Sequence, residues 1–172
     1  ILFHDDSFDY FGIIKNIDKK IVEVYIDSKK ENYTHPSINI RLFQTLTSND
    51  KMDWIVQKSV ELGVTSIHPI YSERSLIKLK GDRAEKKLPH WQQIIISACE
   101  QSGRSKLPDI TMPKKISDYF YERNEMNQSH LRLILSPDTQ NSLDNIGNLS
   151  PDTIDIMIGP EGGFTNHEIK AS

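Results

Sequence analysis

The first 46 residues carry strand patterns, and the rest of the chain alternates between strand and helix patterns. Runs rich in β-branched and aromatic residues at 10–14, 21–26 and 38–46 predict three strands. Polar segments separate these runs, and the first two runs are expected to pair as a hairpin. Because two or three strands are only marginally stable alone, we interpret residues 1–46 as the end part of a small β domain whose beginning is missing.

The first helix pattern follows this β region. Ser48 or Asn49 is placed to cap a helix over residues 50–62, and Gly63 suits the position just past its end. The next strand is expected over residues 64–71.

A second helix is predicted over residues 84–101, because four apolar residues recur there on one helical face. These residues are Trp91, Ile94, Ile95 and Ala98. Pro89 within the segment predicts a kink or a later start. A short helix is expected over residues 116–121.

Two continuous apolar runs, 131–135 and 154–158, predict strands that are covered on both faces, as in a parallel sheet. Alternating strands and helices predict an α/β domain over residues 47–172. If these two runs are neighbouring parallel strands, the loops that follow them emerge at one edge of the sheet. Such an edge is where α/β proteins bind small molecules.

The last apolar run is followed by a segment with almost no side chains, Gly159-Pro160-Glu161-Gly162-Gly163, which we call the Gly loop. Glycine lets a ligand approach the backbone closely, and a helix start offers free N–H groups. Thr165 and Glu168 have capping-box spacing, which predicts a helix from about Asn166. A tight turn that merely needs glycine explains the same composition. The spacing matches neither the dinucleotide fingerprint nor a P-loop, which disfavours a phosphate cradle.

Composition narrows the class of protein. None of the apolar runs approaches the ~18 residues of a membrane span, so we expect no membrane association. A single cysteine, Cys99, excludes an internal disulfide and a Cys-based zinc site. The six histidines lack metal-ligand spacing, so no metal is expected. A reducing cytoplasm is the simplest compartment for this chain.

Charge is distributed unevenly along the chain. The formal net charge is −3, yet the segment 74–115 carries ten basic and four acidic residues. Such a segment is either a nucleic-acid footprint or a solvated face. Arg104 lies just past the second predicted helix, where it either contacts an anion or is one of the solvated neighbours of a Gly103 cap. Cys99, next to Ala98, is predicted to be a buried structural thiol.

Four segments, in this order along the chain, resemble the RsmE family. They are Glu61-Leu62-Gly63-Val64, Ser72-Glu73-Arg74-Ser75, Ala98-Cys99-Glu100-Gln101-Ser102-Gly103-Arg104 and Ile158-Gly159-Pro160-Glu161-Gly162-Gly163. RsmE proteins are bacterial SPOUT-class enzymes that methylate N3 of a uridine in 16S ribosomal RNA with S-adenosyl-L-methionine. The resemblance covers nearly the whole chain, and it implies the same activity here.

The resemblance also implies an architecture. A PUA-like β-barrel, represented by residues 1–46, would precede a SPOUT α/β domain of the trefoil-knot type over residues 47–172. The family's third cofactor loop would lie after Ser172, so we expect a fragment whose knot is incomplete. Members are homodimers, and the implied partner is ribosomal RNA or the small ribosomal subunit.

Site residues follow from the resemblance. The implied cofactor-binding residues are Leu135, Ser136, Pro137, Ile158, Gly159, Pro160, Glu161, Gly162 and Gly163. The implied RNA-binding residues are Arg74, Lys78, Arg104 and Lys106, with Arg104 also the candidate electrostatic helper in catalysis. Glu161 either attracts the sulfonium or fixes the loop, and we favour the second role. The rival interpretation is a non-catalytic RNA-binding module with a purely structural Gly loop.

Overall fold

The computed structural model describes residues 2–5, 8–31, 36–77, 79, 81–121, 129–136 and 150–171. The predicted site residues Lys78 and Pro137 lie outside these residues. The remaining predicted site residues are described.

A three-stranded antiparallel sheet forms the N-terminal part. Its strands are β1 (Leu2–His4), β2 (Phe8–Ile17) and β3 (Val22–Glu31), in the order β1-β2-β3. The predicted hairpin between the first two apolar runs is confirmed, because β2 pairs with β3 around a turn in which Asp18 N donates to Ile21 O at 2.8 Å. Many apolar side chains of this sheet are exposed, Ile13 at 67% among them.

A parallel sheet forms the larger part of the fold. It contains β4 (Asn39–Thr45), β5 (Ser66–Tyr71), β6 (Asp109–Ile110), β7 (Lys114–Lys115), β8 (His130–Leu135) and β9 (Thr153–Ile158). The order is β6-β5-β4-β9-β8, with β7 also paired to β5, and each of these pairings is parallel. The predicted α/β class is confirmed. The short strands β6 and β7 were not predicted.

The predicted boundary at residues 46/47 is wrong by one strand. The run 38–46 was assigned to the β domain, but β4 lies inside the parallel sheet between β5 and β9. A strand rich in apolar residues suits either kind of sheet, and only its pairing decides between them. The sheet change therefore falls between β3 and β4.

The helices are α1 (Asn49–Glu61), α2 (Asp82–Ser102), α3 (Ile116–Tyr121) and α4 (Asn166–Ala171). Gly63, just past α1, has φ +98°, and Gly103 at the end of α2 has φ +70°, so both positions favour glycine. Pro89 lies inside α2, which starts at Asp82. The later start that Pro89 suggested is therefore wrong. None of the described helices is long and apolar enough to cross a membrane.

The core has one cluster on each face of the parallel sheet. Leu42 of β4 belongs to the cluster with α1 and α2, which includes Val56 and Trp91. The next residue, Phe43, belongs to the opposite cluster, with Ile116 of α3. This alternation follows from the two-residue period of a strand, and each buried side chain contributes about 1.5–3 kcal/mol. Cys99 is buried in the first cluster, as predicted, and burial raises the pKa of its thiol.

Candidate functional site

The carboxyl ends of three neighbouring strands meet at one edge of the parallel sheet. Ile158, which ends β9, pairs with Leu135 of β8 and with Gln44 of β4. The two apolar runs are therefore neighbouring parallel strands, which meets the condition under which their loops were expected to emerge at one edge. The Gly loop, Ser136 and the start of the β4–α1 connection all leave the sheet at this edge.

The glycines of the Gly loop differ in what the fold requires of them. A Cβ on Gly159 would lie 3.2 Å from both the Cδ2 and the backbone N of Phe164, closer than ordinary van der Waals contact. Gly163 has φ +67°, and its N–H donates to Pro160 O at 2.8 Å, closing a turn. Among the described residues, a Cβ on Gly162 would meet only Arg74 Cδ, at 3.7 Å. The turn therefore explains two of these glycines and leaves Gly162 unexplained.

Glu161 fastens the Gly loop to the start of α1. Its Oε1 accepts hydrogen bonds from Thr47 Oγ1 at 3.2 Å and from Lys51 Nζ at 3.3 Å. The hydrogen bond from its own backbone N–H, followed by those of Lys51 and Thr47, lowers the pKa of this carboxyl. Of the two roles predicted for Glu161, the contacts favour fixing the loop.

A small cavity of about 230 Å³ lies beside Gly159 and Pro160 and is also lined by Thr45. Thr45 is fully buried, and its Oγ1 has no hydrogen-bond partner within the described part of the chain. A buried hydroxyl without a partner is costly, which makes it a candidate contact for a polar ligand.

The capping box predicted at the start of α4 is confirmed. Glu168 N donates to Thr165 Oγ1 at 3.2 Å, and Thr165 N donates back to Glu168 Oε2 at 2.9 Å. The Glu168 side chain is buried, with Glu168 only 3% exposed.

Residues Ser72-Glu73-Arg74-Ser75, which we call the Ser72–Ser75 turn, follow β5 and contact the Gly loop. Ser72 N donates to Ser75 Oγ at 2.8 Å, which closes the turn. Arg74 Nη1 donates to Gly162 O at 2.7 Å, and Glu73 N donates to Glu168 Oε1 at 2.8 Å. Sequence reasoning missed these contacts, although the same four residues are one of the segments that resemble the RsmE family.

A cavity of about 870 Å³ lies on another side of this turn, between α3 and α4. Lys114 and Lys115 are exposed at its wall, and Phe120 also lines it. Its volume is within the range of small-molecule sites.

A family model for an RNA methyltransferase domain matches residues 34–172, most of the chain. The chain belongs to the RNA methyltransferase family. The family match begins before β4, in agreement with the corrected sheet boundary.

Relatives of known name are similar to this RNA methyltransferase domain over almost its whole length. Ribosomal RNA small subunit methyltransferase E of Buchnera aphidicola subsp. Schizaphis graminum is 32% identical over 98% of this chain and 67% of the relative. Its counterpart from Buchnera aphidicola subsp. Acyrthosiphon pisum is 30% identical over 98% of this chain and 65% of the relative. The resemblance to the RsmE family is thereby confirmed. The chain spans about two thirds of the length of these relatives.

Two structures with bound S-adenosyl methionine have the same fold as this RNA methyltransferase domain. The Neisseria gonorrhoeae ribosomal RNA small subunit methyltransferase E superposes with a TM-score of 0.83 at 35% identity, over 96% of this chain and 66% of that one. A Legionella pneumophila methyltransferase superposes with a TM-score of 0.84 at 34% identity, over 98% of this chain and 68% of that one.

Leu135 and Ser136 lie where β8 of the methyltransferase domain ends. Leu135 is 57% exposed, although it closes a strand of the parallel sheet. It therefore offers an apolar surface next to the strand that carries the Gly loop. Ser136 is half-buried at the same edge.

Arg104, for which RNA-contacting and catalytic roles were predicted, makes structural contacts. It is buried, with 7% exposed, and its Nη1 donates to Val60 O at 2.7 Å and to Val64 O at 2.9 Å. The guanidinium thus satisfies carbonyls at and just past the C-terminal end of α1. Burial lowers the pKa of Arg104 from its ordinary value. These contacts give Arg104 a structural role at the end of α1, and its RNA-contacting and catalytic roles stay predictions.

The other basic residues predicted to contact RNA are exposed where they are described. Arg74 and Lys106 both have exposed side chains, and Arg74 contacts the Gly loop as well. Lys78 lies outside the described residues. No group of three or more His, Cys, Asp or Glu residues within the described ranges is arranged to hold a metal ion.

A row of charged residues around one buried acid crosses three strands of the methyltransferase domain and was not predicted. Asp155 of β9 is fully buried and pairs in register with Arg41 of β4 and Arg132 of β8. Arg41 Nη2 donates to Asp155 Oδ2 at 2.8 Å, His130 Nε2 lies 3.0 Å from that oxygen, and Arg132 Nε lies 3.4 Å from it. The row locks the register of the strands whose carboxyl ends form the candidate site.

Proposed function

We propose that this domain belongs to an S-adenosylmethionine-dependent methyltransferase that acts on ribosomal RNA of the small subunit, at N3 of a uridine. The observation that carries the proposal is the position of the Gly loop. It follows β9 at the edge where β8 and β4 also end, and the fold is that of relatives with bound S-adenosyl methionine. The turn has room for a Cβ at position 162, yet the residue there is glycine. A glycine that the turn does not need favours a ligand lying against the backbone.

The residues at this edge fit such a cofactor. Exposed Leu135 offers an apolar surface for a nucleobase, and the Gly loop offers backbone groups without steric obstruction. Thr45 offers a buried hydroxyl beside Gly159. S-adenosylmethionine supplies an activated methyl group, so the protein's task is to bind and orient. In this proposal residues 135–137 and 158–163 hold the cofactor, with Glu161 fixing the loop.

The RNA side of the proposal rests on exposed basic residues. Arg74 and Lys106 are exposed members of the basic segment, and Lys78 belongs to the same segment of the sequence. Such residues supply sequence-independent contacts to phosphates. The uridine-N3 specificity, the homodimer, the PUA-like barrel, the knot and a cytoplasmic location are further parts of this proposal, and they rest on the family resemblance.

Calorimetric titration of S-adenosylhomocysteine into the full-length protein tests the proposal. Gly162→Val should abolish detectable binding while the protein stays folded, because the fold leaves room for a Cβ at this position but a ligand on the loop would not. Ser28→Val on the exposed surface of β3 is the matched control and should bind as the wild type does. Equal affinity of Gly162→Val and wild type would remove the cofactor from this loop. Absence of binding to every variant, with RNA binding retained, would favour the non-catalytic module.

A further inference from the structure

The Gly loop is held in shape largely by groups that lie outside it. Four of its five residues are glycine or proline, and the fifth, Glu161, points to α1. Glycine loses more conformational freedom on ordering than any other residue. A binding loop of this composition therefore depends on its neighbours for a defined conformation.

The Ser72–Ser75 turn supplies one attachment to the Gly loop itself and a second to α4, the helix that follows the loop. Arg74 Nη1 donates to the carbonyl of Gly162 at 2.7 Å. Gly162 is the glycine that the Pro160–Gly163 turn does not itself require. Glu73 N donates to Glu168 Oε1 at 2.8 Å, within the first turn of α4 and five residues past the end of the loop. The turn is itself rigidified, because the Ser72 and Ser75 hydroxyls lie 3.0 Å apart and Ser72 N bonds to Ser75 Oγ.

Glu168 joins the Ser72–Ser75 turn to Thr165, just before α4, through one carboxylate. Its Oε1 accepts from the Ser72–Ser75 turn, while its Oε2 accepts from Thr165 N at 2.9 Å and from Thr165 Oγ1 at 3.2 Å. Both oxygens therefore act as acceptors, and the side chain is buried. A glutamine would keep the shape but place an NH₂ donor against one of these N–H donors.

We propose that Arg74 and Glu168 are positioning residues that hold the Gly loop in its ligand-binding conformation and thereby set the affinity for the cofactor. This inference rests on the function proposed above. When a loop is already ordered in the free protein, ligand binding does not have to include the entropy cost of ordering it, and the affinity is higher. Loss of either attachment should loosen the loop in the free protein and weaken cofactor binding together.

Arg74→Ala tests this with little risk to the fold, because Arg74 is exposed. Amide hydrogen exchange of the ligand-free full-length protein should rise about tenfold in the peptide that covers the Gly loop, and not in α1 or α2. The Kd for S-adenosylhomocysteine should rise about tenfold, measured well below the thermal midpoint. Arg74→Lys should recover part of both changes, since an ammonium still donates to Gly162 O. Arg83→Ala, an exposed arginine at the start of α2, is the control and should change neither.

Glu168→Gln gives a second arm through the other attachment, with the same paired signature expected. A merely structural Glu168 would lower the thermal midpoint but leave Kd unchanged for the folded fraction. Unchanged exchange of the Gly loop in both Arg74→Ala and Glu168→Gln would overturn the proposal, as would faster exchange with unchanged Kd. Failure of the proposed function has its own signature: the wild type would not bind S-adenosylhomocysteine, whereas the exchange experiment needs no ligand.

Discussion

Replacing Asp155 by asparagine should destabilise the domain strongly, because its carboxylate is buried in contact with three basic side chains. The acid is fully buried between Arg41, His130 and Arg132. Its two oxygens receive the Nε and Nη2 of Arg41, in the paired geometry that makes Arg–carboxylate bonds strong. Asparagine keeps the shape, removes the charge and turns one acceptor into a donor that faces guanidinium N–H groups.

The size of the effect follows from burial. Removing one partner of a buried ion pair costs about 3–5 kcal/mol, since the remaining charges lose their counter-ion. The Arg41 side chain is 36% exposed, which allows water to relieve part of this cost. We therefore expect a loss of about 3 kcal/mol in the free energy of unfolding, at the lower end of that range.

Urea denaturation at neutral pH measures this loss. Asp152→Asn is a matched control on the residue before β9, where the side chain is exposed, and it should change stability by less than about 0.5 kcal/mol. Combining Asp155→Asn with Arg41→Met should cost less than the sum of the two single changes, because the second change removes a charge that the first has left uncompensated. A loss below about 1 kcal/mol for Asp155→Asn, or strict additivity, would refute this account of the row.

Two further predictions concern His68 and Gly159. Burial first, and then the charge of Arg41, lower the pKa of His68 to about 4. In this pH range the folded state therefore binds fewer protons than the unfolded state. Stability should fall as pH drops from about 6.5 to 4. Allowing for partial exposure, His68→Gln should remove about 2 kcal/mol of that loss, measured by urea denaturation at pH 7 and pH 4.5, and equal pH slopes would contradict it. Gly159→Ala should destabilise by about 1–3 kcal/mol because its Cβ would press on the backbone N and the ring of Phe164, whereas Gly162→Ala should be near neutral. Equal thermal midpoints of the two variants would contradict this close-approach argument.

Local features of this chain were predictable because their causes are local. The capping box depends on Thr165 and Glu168, three residues apart, and both of its hydrogen bonds are present. The αL positions of Gly63 and Gly103 depend on the helix that each one follows. The pairing of β8 with β9 was also predictable, since two continuous apolar runs late in an α/β chain suit neighbouring buried strands.

Features that depend on register were not predictable from one sequence. The row of Arg41, Asp155 and Arg132 exists only because three strands align these positions, which are up to 114 residues apart. Arg74 and Gly162 are 88 residues apart, and nothing in either segment indicates the partner. The assignment of β4 to the wrong domain has the same origin, because the strand pattern does not reveal its neighbours.

Arg104 shows why a charged residue past a helix is an ambiguous signal. A guanidinium at such a position can donate hydrogen bonds to phosphate oxygens or to the free carbonyls at the end of a neighbouring helix. In this structure Val60 O and Val64 O accept hydrogen bonds from Arg104 and its side chain is buried, which favours a structural role over the predicted contact with an anion. The Gly loop presents the opposite case: the turn accounts for Gly159 and Gly163 but has room for a side chain at Gly162. When the fold itself requires a residue, its presence is no evidence for a ligand. The fold does not require glycine at position 162, whose carbonyl accepts from Arg74, so Gly162 is the position of the loop at which we expect a ligand.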